Sequence, residues 1–500
     1  MFYAEDMMTI LESVLAMVAA INALFLVLVF SRRIWRGRYF RAYDRARSHH
    51  FGTVCAFANG KLSVAQACKT LEKAESPAQL DAVHKMLLEA IDDSNRYRIS
   101  ELLLALGYVR RWAIAAFGED RGPRMIRSFQ KKIPQSAPPA RNWALNPALR
   151  LRFLAVGRAI AVFQLGQLAP DFAFSFAREA LRDPSFDVRS LAIIAIGRSR
   201  HPAGVGVLVE ELHQAVAAHN EVSPRYIKAA LLHYQIEDLA HFQPFLSHTQ
   251  PRVRFFLVDA IREICDRAAG RKPLQALDFP AEMSQHFLQR LAQDPFADVR
   301  ARSACVIRHF RTAQAAAALR SLLQDGNEYV RMWACRSIRE DSYSELIPHL
   351  LGRLSDISWR VREDAANSLV AFGRRGARAM YSYFESCTDP LACEQVAEAI
   401  QRWGLLSELV AMISAGAEEA ALAEAVCRQM ALLGMTSAFK SALGRPVPAQ
   451  VRMVLRELLA EAPRPRLHLS PREKFEFIPP SSPQGVWTTP ALAYAVARGD

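Results

Sequence analysis

The stretch Asp294-Pro295-Phe296-Ala297-Asp298-Val299-Arg300 decides the fold, because the chain repeats it. An intact earlier copy runs from Asp183 to Arg189, and two degenerate copies begin at Asp325 and Asp356. The last three copies start 31 residues apart, at positions 294, 325 and 356. A fixed period of this length is typical of stacked supersecondary units that share a core with their neighbours. The sequence therefore predicts an α-solenoid.

Each copy of this phrase is expected to open a pair of helices. Asp294 suits an N-cap, and Pro295 suits the first helical position, where its missing N–H costs nothing. Apolar residues follow at helical spacing, and a second apolar helix is predicted over residues 315–323. In the intact earlier copy, Gly197 is expected to end the first helix and Pro202 to open the second. Each unit is thus predicted to be a helical hairpin.

Weaker copies extend the array in both directions, and strand-like alternation is nearly absent. They open at Asn146-Pro147, Pro224-Arg225, Gln250-Pro251, Asp389-Pro390 and Pro448-Ala449. Residues 76–107 read as a helix pair without the phrase, as expected of a terminal cap. The sequence predicts an all-α protein whose solenoid occupies residues 76–461.

The repeated phrase resembles HEAT repeats, in particular the phycobilisome-lyase-like bacterial variety, over roughly residues 76–460. This resemblance implies a right-handed solenoid in which aspartates and arginines of successive units pair along the stack. We interpret the repeated charges as such a structural ladder, formed by Asp187, Arg189, Asp298, Arg300, Arg331 and Arg362. A basic ladder for phosphate groups is the less favoured alternative. The family serves docking in many systems, so the resemblance leaves the partner open.

An apolar run near the start predicts one transmembrane helix ahead of the solenoid. The 18 residues from Ser13 to Phe30 carry no charge, which is about the minimum for a spanning helix. The run begins after acidic residues and ends in Ser31-Arg32-Arg33, unlike a cleaved signal peptide. Because Lys and Arg stay on the cytoplasmic side, we expect an inner-membrane, single-pass protein with its amino terminus outside and its solenoid in the cytoplasm. The anchor is assigned to residues 1–31.

The net charge of +13 is concentrated next to this anchor. Residues 31–50 hold seven arginines and one aspartate, a net charge of +6, with aromatic residues between them. Within a juxtamembrane segment and linker assigned to residues 32–75, five arginines are expected to contact the anionic inner leaflet: Arg32, Arg33, Arg36, Arg38 and Arg41. A solvated charge run is the alternative.

The anchor also carries small residues and one amide. Ala19 and Ala23 lie four residues apart, and Asn22 is adjacent. Small residues let helices approach closely in lipid, and an amide there gains from a partner. The hypothesis is that Ala19, Asn22 and Ala23 contact another membrane helix, so that the protein joins a membrane complex. The alternative is a simple tether.

Catalytic and metal-binding signatures are not apparent. The chain has no phosphate-binding loop, dinucleotide fingerprint, nucleophile elbow or His-Glu-x-x-His pattern. The eight cysteines are spread singly, with no CxxC spacing, which suits a reducing compartment. We therefore expect no cofactor, no metal and no enzymatic activity.

The last segment, residues 462–500, is rich in proline, which excludes a long helix. It is interpreted as an extended or disordered tail. Phe475, Phe477, Ile478 and Trp487 leave open a linear docking segment for a partner.

These observations favour a membrane-anchored scaffold or adaptor that binds a protein through its repeats, as an accessory of an envelope or signalling complex. One alternative is a nucleic-acid-binding protein, which the basic composition permits but the juxtamembrane location of the charge disfavours. Another is a protein that handles a bilin chromophore, as the resemblance to phycobilisome lyases suggests.

Overall fold

A computed structural model describes residues 2–72, 76–130, 155–217, 222–271, 277, 279–339, 341–414, 417–444 and 446–462. All regular structure in these residues is helical, which confirms the all-α prediction. The described residues form two compact units, one made of those within 1–383 and 388–399, the other of those within 384–387 and 400–462. The opening predicted at Asn146-Pro147 and the tail beyond Ala462 lie outside the described residues.

The first unit begins with five helices, α1 (Phe2–Ala58), α2 (Val64–Leu71), α3 (Pro77–Glu89), α4 (Arg96–Ala105) and α5 (Tyr108–Gln130). It continues with α6 (Ala155–Leu165), α7 (Pro170–Ala180), α8 (Phe186–Ser199), α9 (Gly204–Ala217), α10 (Pro224–Leu231), α11 (Pro251–Arg271) and α12 (Ala281–Gln289). The regular repeats follow as α13 (Ala297–Ile307), α14 (Ala313–Leu323), α15 (Glu328–Ser337), α16 (Ile347–Arg353), α17 (Trp359–Ala371), α18 (Arg374–Ser386) and α19 (Pro390–Arg402). The second unit contains α20 (Leu406–Ile413), α21 (Ala417–Leu432), α22 (Ser437–Leu443) and α23 (Ala449–Glu461).

The first unit has the two helical rows of a solenoid. The helices that follow the phrase, here called signature helices, contact one another in the order α6, α8, α10, α11, α13, α15 and α17. The second helices α12, α14 and α16 contact one another in a parallel row. Val299 and Ile307 of α13 and Leu319 of α14 are fully buried between the rows. Neither row could bury its apolar side alone, so each unit depends on its neighbours.

The aspartate that opens the repeated phrase does not cap the following helix, contrary to the prediction. Asp294 is not an N-cap: α13 starts at Ala297, and Phe296 occupies the cap position. The Asp294 carboxylate instead accepts a hydrogen bond of 2.9 Å from the Phe296 N–H, in an Asx turn. Asp183, Asp325 and Asp356 each accept a hydrogen bond in the same way from the N–H two residues later. This turn leaves the rest of the carboxylate available to the preceding unit.

Gly197 does not end α8, contrary to the prediction. The helix runs on to Ser199 and ends at Arg200, which has a left-handed φ of 52°. A Cβ at Gly197 would lie 2.2 Å from the carbonyl oxygen of Ala230 in α10. The glycine is therefore required by the close approach of two signature helices. The next helix begins at Gly204, two residues after the predicted opening at Pro202.

The amino-terminal segment forms one continuous helix, α1, which runs from Phe2 to Ala58 through the predicted boundary at residue 31. The division into an anchor of residues 1–31 and a juxtamembrane segment and linker of residues 32–75 stays a prediction. The last turns of α1 pack on α2 and α3, where Val54 and Phe57 are 2% and 0% exposed. The Tyr39 hydroxyl donates a hydrogen bond of 2.5 Å to Asp81 of α3. Residues 32–58 contain no proline, which agrees with an unbroken helix over this stretch.

The side chains of α1 are described from Met17 onward, except for that of Ala19. Within the described part of the chain, no helix is long and apolar enough to cross a membrane. The predicted anchor stays a prediction.

Candidate functional site

Arginines of the signature helices pair with the aspartates that open the following units. Arg300 donates two hydrogen bonds, of 2.7 and 2.8 Å, to the carboxylate of Asp325. Arg331 binds Asp356 with the same two distances. The remaining pairs of this kind are Arg158 with Asp183 and Arg254 with Asp294. Such bidentate pairs fix the relative position of neighbouring units.

Arginines of the signature helices also bind the turn of their own unit. Arg300 Nη1 donates to the carbonyl oxygens of Asp294 and Pro295. Arg189 and Arg362 make the equivalent contacts with the carbonyls five and six residues before them. In the unit of Arg254, His248 replaces the aspartate, and its Nδ1 accepts the Gln250 N–H as the carboxylate would. One arginine therefore ties its own turn to the next unit.

This geometry corrects the predicted set of ladder aspartates. Asp187 and Asp298 are exposed and form no part of the ladder, whose carboxylates belong to Asp183, Asp294, Asp325 and Asp356. Asp187 and Asp298 lie in the first turn of their helices, on the solvent side. The predictions also lacked Arg158 and Arg254. The six-residue spacing between the opening residue and the arginine is the signal that identifies Arg254.

The ladder holds its charges in ionised form. Burial alone would raise the pKa of Asp356, but the hydrogen bonds from Arg331 and from the Ser358 N–H, with the nearby positive charges, hold that pKa below its ordinary value. Only 11% of the Arg331 side chain is exposed. Its donors are already occupied, so it is poorly placed to bind an external phosphate.

A second charge network covers the middle of the signature helices. Asp259 of α11 binds Lys228 of α10, Arg262 of its own helix, and Arg302 of α13. Further along, Asp266 binds Arg308 at 2.6 Å and His309 at 3.0 Å. The cations in this region are thus neutralised by carboxylates of neighbouring helices.

At the amino-terminal edge of the signature helices lies a groove of about 820 Å³. It is lined by the starts of α10, α11 and α13 and by the end of α9. Phe255 and Phe256 contact each other edge to face, with ring centroids 5.4 Å apart. Phe296 stands at the tip of α13 with 49% of its surface exposed. The groove therefore offers aromatic surface that the core does not use.

The arginines along this groove, unlike the cations bound to Asp259 and Asp266, are not neutralised by carboxylates in the described residues. Arg225 and Arg252 are exposed in the first turns of α10 and α11. Neither forms an ion pair with a residue in the described part of the chain. Asp298 is the one carboxylate among the lining residues that the structure describes. Sequence reasoning missed this groove, because its members belong to three units and share no linear motif.

The predicted anchor residues lie on α1, apart from the groove. Asn22 and Ala23 are exposed, whereas the side chain of Ala19 lies outside the described residues. The five arginines expected at the inner leaflet, Arg32, Arg33, Arg36, Arg38 and Arg41, are also exposed. They follow a run of exposed apolar side chains on the same helix.

Two of the eight cysteines are buried thiols with raised pKa values. Burial is the first cause that raises the pKa of Cys68 to about 11 and that of Cys427 to about 12, so both thiols stay protonated at neutral pH. Among the residues searched, no cluster of three or more His, Cys, Asp or Glu side chains is arranged to hold a metal ion.

Comparison with known proteins agrees with the repeat architecture. Residues 284–380 match a family model described as HEAT repeats. The comparison with curated proteins gave no match.

Several solved structures are similar to this chain at low sequence identity. Human deoxyhypusine hydroxylase, in complex with glycerol, is 17% identical over 49% of this chain and 89% of its own, with a TM-score of 0.21. Importin beta is 13% identical over 85% of this chain and 64% of its own, with a TM-score of 0.30. Kap95p in its complex with RanGDP is 12% identical over 82% and 60%, with a TM-score of 0.33. These TM-scores are low, and the similarity to HEAT repeats rests on the family match over residues 284–380.

Proposed function

We propose that this protein is a non-enzymatic scaffold, anchored in the inner membrane by α1, whose repeats bind a protein partner on the cytoplasmic side. The observation that carries the proposal is the surface of α1. Every described side chain from Leu24 to Phe30 is exposed, and Phe25 and Val27 are each 63% exposed. Seven consecutive residues cover all sides of a helix, so no single protein groove could bury them. A bilayer could.

The charges that follow support the proposed orientation. Arg32, Arg33 and Arg36 begin immediately after the apolar run and are exposed. Basic residues remain on the cytoplasmic side of an anchor, and each contributes about 1 kcal/mol of attraction near an anionic leaflet. The repeats follow these arginines in the chain, so they belong on the same side.

The packing of α1 determines how the repeats would be presented. Tyr39 binds Asp81, and Arg47 lies 3.4 Å from Glu89 of α3, so the helix is docked on the repeats soon after the basic turns. At 1.5 Å per residue, Phe30 and Tyr39 are about 14 Å apart along the helix. The repeats would therefore be held close to the membrane rather than on a flexible tether. Such anchoring raises the local concentration of a bound partner at the membrane.

The anchor itself is proposed to assist assembly. Ala19, Asn22 and Ala23 would contact another membrane helix, and interhelical hydrogen bonds of this kind contribute only about 0.6–2 kcal/mol. The expected contribution is therefore modest.

The test is purification of the tagged full chain from membranes in mild detergent, followed by identification of proteins present in stoichiometric amount. The scaffold proposal predicts a specific protein partner that is retained after nuclease treatment. Recovery of nucleic acid instead, with an affinity for duplex DNA that falls steeply with salt, would favour the nucleic-acid alternative and contradict the scaffold. A bound bilin would favour the chromophore alternative.

A further inference from the structure

The groove formed by α10, α11 and α13 combines aromatic and basic surface at one edge of the solenoid. Its volume of about 820 Å³ falls within the range typical of ligand sites, and it has walls from three successive signature helices. A short extended segment would contact all three helices at once.

The exposed Phe296 on the aromatic side of the groove is connected to the ladder through its backbone and its ring. The Phe296 N–H is bound by Asp294, whose carboxylate is fixed by Arg254. The Arg254 guanidinium also lies 5.8 Å from the centre of the Phe296 ring. An exposed aromatic ring that is already ordered loses little conformational entropy when a partner covers it.

The basic side of the groove provides the charge selectivity. Arg225 and Arg252 are exposed, whereas the cations Lys228, Arg262 and Arg302 of the same helices are bound to Asp259. The positive ends of the α10 and α11 dipoles add charge of the same sign at this edge. At this edge of the solenoid, an anionic partner is therefore attracted by the exposed arginines of the groove.

Asp298 distinguishes between two kinds of anionic partner. It lines the groove beside Phe296 and is exposed. A carboxylate would repel the continuous row of phosphates in a nucleic acid, but it can accept a hydrogen bond from a peptide N–H. Two exposed arginines are also few for a phosphate backbone.

From these features we infer that the groove binds a linear peptide segment of a partner protein that carries acidic residues next to an aromatic or large aliphatic residue. The inference rests on the proposed scaffold function and names the surface and the partner class. The acidic residues pair with Arg225 and Arg252, and the apolar side chain packs on Phe255, Phe256 and Phe296. Aromatic and arginine side chains are the types that dominate binding energy at protein interfaces.

The experiment is selection from a random 12-residue peptide display library on the full chain in lipid nanodiscs, after removal of peptides that bind empty nanodiscs. Selected peptides are synthesised with a fluorescent label, and their affinities are measured by polarisation. We expect enrichment of sequences with acidic residues beside Phe, Trp, Leu or Ile. Enrichment without acidic residues would overturn the inference.

Variants locate the binding surface. R252E should weaken the selected peptides at least tenfold, and R225E should act in the same direction. R320E is the matched control, because Arg320 is exposed on the second-row helix α14, outside the groove, and should leave binding unchanged. F296A tests how much the aromatic side of the groove contributes to peptide affinity. Thermal unfolding of this variant shows whether the repeat remains folded. Equal affinities for R252E and R320E would overturn the inference.

A labelled 20-nucleotide thymidine oligomer tests the other anionic class. If it binds more tightly than the selected peptides and R252E removes that binding, the peptide inference is wrong. A failed selection combined with a protein partner purified from membranes would leave the scaffold proposal standing and reject only this groove.

Discussion

At the scale of single residues, the ladder couples a turn, a helix and a neighbouring unit through one guanidinium. Arg331 binds two carbonyl oxygens of its own turn and both carboxylate oxygens of Asp356. The Asp356 side chain is only 3% exposed. Taking both charges out of water costs much of what their attraction provides, so the pair contributes more to register than to net stability.

Removal of one partner is therefore expected to be costly. Asp356→Ala leaves the Arg331 guanidinium buried without its counter-charge, and it should destabilise the units around α15 and α17 by about 3–5 kcal/mol. Amide hydrogen exchange in these helices measures the local free energy of opening. Arg182→Ala is the control, since its exposed pair with Glu179 contributes about 1 kcal/mol or less. Equal effects of the two substitutions would show that the ladder is dispensable.

The ladder also predicts a loss of stability in acid. The pKa values of Asp183, Asp325 and Asp356 are held below the ordinary 3.8, because hydrogen bonds and arginine charges outweigh the effect of burial. Each ionised carboxylate therefore stabilises the folded protein, and this contribution is fully present above the pKa of the unfolded state. It is lost as the pH falls through the pKa of the folded state. The unfolding temperature should therefore fall as the pH drops below about 4.

The variant Asp356→Asn isolates this contribution, because an amide does not titrate. Its unfolding temperature should fall less steeply with acid than that of the parent. Parallel curves for the two proteins would contradict the assignment of the acid sensitivity to the ladder.

At the scale of elements, contact between signature helices depends on small residues at defined positions. α8 and α10 approach so closely at Gly197 that a single methyl group would overlap the Ala230 carbonyl. A core that is packed to this density cannot absorb the added volume without movement of a helix.

Gly197→Ala is accordingly expected to destabilise the first unit by about 1–3 kcal/mol or more. Gly352→Ala in α16 is the matched control, because no atom lies within 4 Å of its added Cβ. There the better helix propensity of alanine should be neutral or stabilising by up to about 1 kcal/mol. Urea unfolding followed by circular dichroism compares the stabilities of the two variants. Equal changes in their free energies of unfolding would contradict the close approach of α8 and α10.

The elements differ in how far the sequence could predict them. The repeated phrase was sufficient for the helical repeats and for the helices opening near Pro224, Pro251, Asp389 and Pro448, since periodicity and proline positions are local signals. The choice of ladder carboxylate was wrong although the sequence holds a signal for it: an aspartate opens all four copies, whereas Tyr329 and Arg360 stand at the position of Asp298 in the last two. The groove could not be predicted, since it exists only after three units are stacked.

At the scale of the whole molecule, α1 carries two kinds of surface. Its described side chains from Leu24 to Phe30 are apolar and exposed on all sides, and its last turns are part of the core of the first unit. If α1 spans the membrane, the basic turns between these parts lie at the inner leaflet, and the groove is presented to partners near that surface.

The central claim is that the repeats are held at the cytoplasmic face of the membrane, and a green fluorescent protein fused after Asp500 tests it most directly in a bacterial host. This reporter fluoresces when it folds in the cytoplasm and stays dark when it is exported unfolded. The account predicts fluorescence confined to the cell outline, which becomes diffuse when Leu24, Leu26 and Leu28 are all replaced by Arg. Diffuse fluorescence of the parent fusion, or an intact but dark fusion in the membrane, would contradict it.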